Sequence, residues 1–549
     1  MARANGPRDG GRWRALTVVL LAVGVALRLW QYAANTSFWL DEISIARNVV
    51  ADQPLRTLLF QPLAFEQVAP KGFLLAEWLA VAALGPTELA LRLFPLLCGI
   101  AGMFLFALVA GRTLDRRAAV VALTTFVLAL PLIRYSAEAK QYGADVAASL
   151  VLTLGALDLG RRERPSVGRC AAWGLAGVAL VTFSQAAVLV MAALGALLVA
   201  RWLLARGDDD RRSRRHPALV TVPIWGAAAL AALVVAKRSM TPETDAFMHA
   251  FWRDGFLPRP VTVASAAHWI ASRPLELLAH GTMLRYPLPW VYSVLVLVGV
   301  VALWRRNRWT ALVVTAPAVV TLGAAIARQY PFDRRLILFL LPALLLAIAA
   351  AADWLATTVA RRWRIPAAAT FAAVLLGPTY AFATTPPPYR TEEYRPVFRY
   401  LQARRRPGDA VLVFRSAGAG AAFYGPRYGL RRGDYVLGGC DRDSLHVFLR
   451  DVDRFRGVRR LWVVESSVRT YRPARRAFDT YLATIGVRRE GIAVRTPLQD
   501  SVSVALFDLS DPQRLRATPA ADAFPVATAV PDSLRATCRS MMLPSRLDR

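Results

Sequence analysis

A polytopic α-helical membrane body followed by a C-terminal α/β domain outside the membrane is the fold class the sequence predicts. Three observations predict it. Of the 549 residues, 55% are hydrophobic, and they are bunched into apolar runs between about residues 14 and 384. These runs have the roughly 17–25 residues needed to cross a bilayer. Arginine clusters fall between them, and from about residue 385 onward no such run occurs. The expected division is therefore a transmembrane body over 1–384, with outer loops 32–89 and 237–286, and a domain over 385–549.

Apolar segments lie near 14–31, 90–111, 118–133, 143–160, 170–184, 186–204, 218–236, 287–304, 309–327, 335–352 and 365–384. With other spans allowed for, about 11–13 transmembrane helices are expected. Arg3, Arg8, Arg12 and Arg14 precede the first run, which ends in Leu27-Arg28-Leu29-Trp30 with no small-residue cleavage site. That pattern predicts a retained signal anchor with a cytoplasmic N-terminus. Every dense cluster between spans then falls inside: Arg112/Arg116/Arg117, Arg161/Arg162/Arg164/Arg169, Arg206 through Arg215, Arg305/Arg306/Arg308 and Arg361/Arg362/Arg364. The count works only if 72–86 does not cross. That segment is short, follows Pro70 and carries Glu77, so it reads as an interfacial helix.

Loop 237–286 mixes Met248, Phe251, Trp252, Phe256, Trp269 and Leu275 with charges, as amphipathic interfacial helices do. Thr384-Thr385-Pro386-Pro387-Pro388 reads as a stiff linker. Beyond it, 410–414 and 461–464 read as buried strands, 473–485 as a helix and 502–508 as an alternating strand. The tail from about 510 has little periodicity and reads as partly disordered.

The formal net charge is +30, carried by arginine. Its placement follows the positive-inside rule rather than a nucleic-acid footprint, so no nucleic-acid partner is expected. Basic residues of the C-terminal domain suit anionic lipid headgroups. Cys98 and Cys170 lie in apolar runs, whereas Cys440 and Cys538 lie in the outer domain, where a pairing is open. No cysteine–histidine cluster, Walker A motif, Gly-rich nucleotide loop or HExxH occurs, and the histidines are scattered. Few ionisable residues sit mid-span, where a proton-coupled transporter would carry them. The driving energy must then come with the substrate.

Two motifs stand at the outer ends of spans. Phe38-Trp39-Leu40-Asp41-Glu42 follows the first, and Arg134-Tyr135-Ser136-Ala137-Glu138-Ala139-Lys140-Gln141-Tyr142 follows the third. Carboxylates beside aromatics and cations at a membrane boundary suit chemistry on a lipid phosphate bearing a sugar. An acid of the first motif could take a proton from an acceptor hydroxyl; the plainer reading is a helix start, where acids complement the dipole. Arg134 and Lys140 could hold a phosphate; the plainer reading is a span edge with snorkelling cations. Glu138 and Tyr142 are four residues apart and share a helix face, as do Ser136 and Lys140. Lys71, Arg334 and Arg335 lie on the same side, against the usual charge bias, where a leaving phosphate would need cations.

These motifs resemble the GT-C superfamily of polytopic glycosyltransferases, and within it the bacterial relatives of protein O-mannosyltransferases and lipid A aminoarabinose transferases. The likeness rests on Leu40-Asp41-Glu42, on Leu89-Ala90-Leu91-Arg92-Leu93-Phe94-Pro95, and on Tyr135-Ser136-Ala137-Glu138-Ala139-Lys140-Gln141-Tyr142, with Lys140 where arginine is usual. It is strongest over 30–160, with an echo at Arg334-Arg335-Leu336. The resemblance implies inverting transfer of a sugar from a polyprenyl-phosphate donor on the outer face of a bacterial cytoplasmic membrane. The acceptor would be a glycan, a lipid or a protein. Asp41 would be the base and Glu42 would position donor or acceptor. Lys71, Arg134, Lys140, Arg334 and Arg335 would bind the donor phosphate, and Glu138 and Tyr142 would shape the sugar pocket. No cofactor is implied, although some superfamily members use a divalent metal near the acidic pair. A lipid-linked sugar flippase is the alternative.

Overall fold

The computed structural model describes residues 7–51, 53–162, 164–205, 207–359, 366–441, 444–468, 471–496, 501–526, 530 and 534–535. The chain divides into two compact units. One comprises Met1–Ala34, Ala69–Ser239 and Trp252–Pro388; the other comprises Asn35–Val68, Met240–Phe251 and Tyr389–Arg549.

The first unit is a helical bundle. Nine described helices are long and apolar enough to cross a membrane: Gly11–Ala33, Glu88–Thr113, Tyr142–Arg161, Ala186–Leu203, Arg214–Arg238, Pro289–Arg306, Arg308–Ile326, Arg334–Thr358 and Ala367–Thr384. The remaining two of the eleven predicted segments differ for local reasons. The third is a pair, Arg116–Leu128 and Leu130–Ala137, bent by 60°. The bend falls where Ala129 leaves helical geometry and Pro131 opens the next turn. The fifth, Val167–Phe183, is shorter than the others. The helix Lys71–Leu84 has only 14 residues, about 21 Å at the α-helical rise, too short to span. Arg361, Arg362 and Arg364 lie outside the described residues.

Side-chain caps set several helix starts. Thr87 accepts from the Ala90 N–H, Ser166 from the Arg169 N–H and Asn307 from the Thr310 N–H. Tyr142–Arg161 and Arg334–Thr358 are the two most enclosed spans. Contacts without large side chains allow that close packing. A Cβ on Gly299 would fall 1.8 Å from the Ala347 carbonyl oxygen, and one on Gly99 2.3 Å from Ser136 Cβ.

The second unit carries a five-stranded sheet, ordered β2-β1-β3-β5-β4. Its strands are β1 (Ala410–Val413), β2 (Val436–Leu437), β3 (Leu461–Ser466), β4 (Val487–Arg495) and β5 (Ser501–Asp508). β1 lies parallel to β2 and β3, while β5 runs antiparallel to β3 and β4. The helices His446–Asp453 and Arg472–Ile485 bury Phe448, Leu449, Phe478 and Leu482 against Leu412, Phe414 and Val463. Asp409 ties the sheet together. It accepts from Arg460 Nε at 2.6 Å, Trp462 Nε1 at 2.9 Å and the Arg406 N–H at 2.9 Å. Cys440 is disulfide-bonded, whereas Cys98 and Cys170 are free. Cys538 and the last 14 residues lie outside the described residues.

Candidate active site

In the first unit, the segment after the bend does not continue as one helix. Leu130–Arg134 is a single turn, Tyr135–Ala137 a 3-10 turn, and Glu138 is extended at φ −129°, ψ 129°. Helix resumes at Tyr142. Glu138 and Tyr142 therefore do not share a helix face, contrary to the sequence expectation. The helix ends in the 135–137 turn, where the Ser136 hydroxyl donates to the Ile133 carbonyl at 2.6 Å and competes with helical pairing, so Ser136 and Lys140 share no helix face either.

The folded-back segment brings its polar groups together. Arg134 Nε donates to Glu138 Oε2 at 3.2 Å, and both side chains are buried. The Arg134 guanidinium lies 5.0 Å from the Tyr135 ring centre, and Tyr135 meets Tyr142 edge-on at 5.1 Å. Arg335 closes the group, 6.0 Å from the Tyr142 ring and 5.0 Å from that of Trp252. Arg334 stands 5.7 Å from Trp252 and pairs with Asp333. Such cation–ring contacts hold a guanidinium in place while leaving its donors in plane for an anion. Lys140 is buried, and its N–H donates to the Glu138 carbonyl at 2.6 Å.

The loop carrying Arg334 and Arg335 is held from the side. Phe332 N–H donates to Gly255 O at 2.7 Å, and Arg273 Nη1 donates to Phe332 O and Asp254 O at 3.2 Å each. Arg334 sits at φ +35°, a strained backbone for a residue with a side chain. Lys71 opens its helix behind Pro70, half-buried, and burial lowers its ammonium pKa. The backbone there is tight, since a Cβ on Gly72 would fall 2.8 Å from the Thr182 carbonyl oxygen.

In the second unit, Asp41 and Glu42 form the first turn of the helix Leu40–Val49. Glu42 is buried and Asp41 is half-buried. Acids at this position complement the orphan N–H groups of the helix start. Among the described residues, no group of three or more His, Cys, Asp or Glu side chains could hold a metal ion. Trp252, against which Arg334 and Arg335 lie, is a neighbour of the site that no sequence motif marks. Its signal in the sequence is that of an aromatic amid scattered charges in the loop 237–286.

No protein-family model and no curated protein matches the chain. Its fold is similar to that of ArnT from Cupriavidus metallidurans bound to undecaprenyl phosphate, at 15% identity over 89% of this chain and 97% of that one, with a TM-score of 0.46. It is similar to the archaeal oligosaccharyltransferase AglB from Archaeoglobus fulgidus in complex with an inhibitory peptide and a dolichol-phosphate, at 10% identity over 88% and 73%, with a TM-score of 0.48. It is also similar to the arabinofuranosyltransferase AftD from Mycobacteria, at 16% identity over 91% of this chain and 40% of that one, with a TM-score of 0.40. The likeness is one of fold alone.

Proposed function

We propose that this protein is a membrane glycosyltransferase that moves a sugar from a polyprenyl-phosphate donor to an acceptor glycan, lipid or protein on the extracytoplasmic face. The observation that carries the reading is the buried Arg134–Glu138 pair flanked by Tyr135, Tyr142 and Arg335. Burying several charges is unfavourable unless they are paired or await an anionic ligand. Arg134, Lys140, Arg334, Arg335 and Lys71 supply the cations, and Glu138 and Tyr142 supply polar groups for sugar hydroxyls.

In this reading Asp41 takes the proton from the acceptor hydroxyl as its oxygen attacks the anomeric carbon. The bond from that carbon to the phosphate oxygen breaks, and the electron pair leaves with the polyprenyl phosphate. The cations offset the charge gained by the leaving group. Glu42 orients the turn or the acceptor.

The test is sugar transfer from radiolabelled polyprenyl-phosphate hexoses and pentoses in isolated membranes, comparing wild type with Asp41→Asn. Loss of about 100-fold or more, the range of a general base, supports the assignment. Equal transfer by both removes Asp41 as the base and points to Glu42 or Glu138. Transfer by neither, from folded protein, refutes the enzyme reading.

A further inference from the structure

The backbone just before Asp41 is held by side chains rather than by secondary structure. The N–H groups of Ser37 and Phe38 precede the helix Leu40–Val49, and that of Leu40 is an orphan of its first turn. Each has a partner from the C-terminal residues of the same unit. Ser37 N–H donates to Glu393 Oε1 at 3.3 Å, Phe38 N–H to Tyr424 Oη at 2.7 Å and Leu40 N–H to Glu392 Oε2 at 2.7 Å. Ser37 Oγ donates to Glu393 Oε2 at 3.0 Å and accepts from Arg395 Nε at 3.3 Å. The Phe38 ring is fully buried, 5.7 Å from that of Phe423.

These partners are anchored in the sheet core. Glu392 Oε1 accepts from Tyr394 Oη at 3.0 Å and from Ser466 Oγ. Ser466 ends β3, and its carbonyl accepts from Ser416 Oγ, just beyond β1, at 2.5 Å. Tyr424 stacks on Tyr394 at 5.9 Å. The grip therefore starts at the carboxyl ends of the two central parallel strands. Glu392, Glu393 and Tyr424 are all buried. Two buried carboxyl groups and a buried phenol together hold the backbone of residues 37–40, and leaving such buried groups unpaired is costly.

We propose that Glu392, Glu393 and Tyr424 are positioning residues, and that the C-terminal domain acts as a clamp that sets Asp41 for its reaction. The catalytic part of this inference rests on the reading of Asp41 as the base. The clamp itself does not. Asp41 follows Leu40 directly, so the reacting carboxylate inherits any slack in the held backbone. A misplacement of about 1 Å can lower turnover about 100-fold.

The experiment uses the full-length protein in lipid nanodiscs, with variants Tyr424→Phe and Glu392→Gln. Hydrogen–deuterium exchange is read at the amides of 37–40, and transfer is read with radiolabelled undecaprenyl-phosphate sugars. Asp409→Asn serves as a control that weakens the same domain without touching the clamp. We expect exchange at 37–40 to rise about 10–100-fold in the clamp variants, as for loss of one strong hydrogen bond. Strands β1 and β3 should keep their protection, turnover should fall at least about tenfold, and the KM for donor should hold within about twofold. Asp409→Asn should lower the melting temperature and leave both readouts at 37–40 and turnover unchanged. Unaltered exchange at 37–40 in both clamp variants overturns the clamp. Raised exchange with unaltered turnover overturns its catalytic part. If the wild type transfers no sugar, the glycosyltransferase reading fails by itself, and the exchange data alone decide the clamp.

Discussion

Gly99→Ala is a sharp probe of the cation-bearing turn. Gly99 lies on the helix Glu88–Thr113, and its hypothetical Cβ would stand 2.3 Å from Ser136 Cβ and 3.1 Å from Ser136 Cα. Ordinary contact for a Cβ begins at 3.4 Å, so relief needs a separation of at least about 1 Å. The struck atoms are a Cβ and a backbone carbon, so no side-chain rotation provides it. Ser136 is further held by its Oγ–H donating to the Ile133 carbonyl at 2.6 Å. Either the helix or the 135–137 turn must shift, and the turn lies between Arg134 and Glu138. Overpacking of this kind destabilises by about 1–3 kcal/mol, and a 1 Å shift of a substrate-holding group lowers turnover by about 100-fold. The control is Gly102→Ala on the same helix, whose Cβ would meet nothing nearer than 3.7 Å. Thermal unfolding and sugar transfer of both variants in proteoliposomes provide the assay. Gly99→Ala should lower both, and Gly102→Ala neither. Wild-type melting and transfer in Gly99→Ala would refute the reasoning.

Other consequences can be measured directly. Arg134→Ala leaves the buried Glu138 carboxylate without its guanidinium, a change worth about 3–5 kcal/mol of stability; Arg134→Ala with Glu138→Ala should recover part of that loss, and full additivity would show that the pair is not coupled. Burial, reinforced by the neighbouring Asp479, pushes the Glu465 carboxyl up to about 8 from its ordinary 4.5. Below about pH 4.5 the proton is held in both folded and unfolded chains and stability is fully present; between about 4.5 and 8 only the unfolded chain releases it, so stability falls as pH rises. Glu465→Gln should therefore flatten the decline in melting temperature between about pH 5 and 8, and an unchanged pH profile would contradict the assignment. Denatured, unreduced protein should show the two free thiols of Cys98 and Cys170, and reduced protein should show all four cysteines; four thiols before reduction would contradict the disulfide at Cys440.

The sequence by itself determined the elements whose signals are local. Continuous apolar runs of spanning length specify helices, because such a run satisfies its own backbone in a bilayer within the segment, whereas a barrel strand would alternate apolar and polar residues. The strands at 410–414, 461–464 and 502–508 and the helix at 473–485 were readable for a like reason, since their burial periods match β1, β3, β5 and Arg472–Ile485. β4 was not legible because it pairs on one side only and its exposed residues carry no apolar alternation. The motif residues Asp41, Glu42, Arg134, Glu138, Lys140 and Tyr142 could be named from their unusual mixture of charge and aromatics at span ends. Their arrangement could not. A helix template placed Glu138 and Tyr142 on one face, whereas the 3-10 turn at 135–137 and the extended backbone of Glu138 interrupt the helix and leave Glu138 paired with Arg134. Trp252 reaches Arg334 and Arg335 from about 80 residues away in the chain, and Glu392, Glu393 and Tyr424 reach residues 37–40 from more than 350 away. Hydrogen bonds and ring contacts act over a few ångströms in space and leave no period in the sequence. Only the tertiary structure could decide which distant side chains hold the acidic turn.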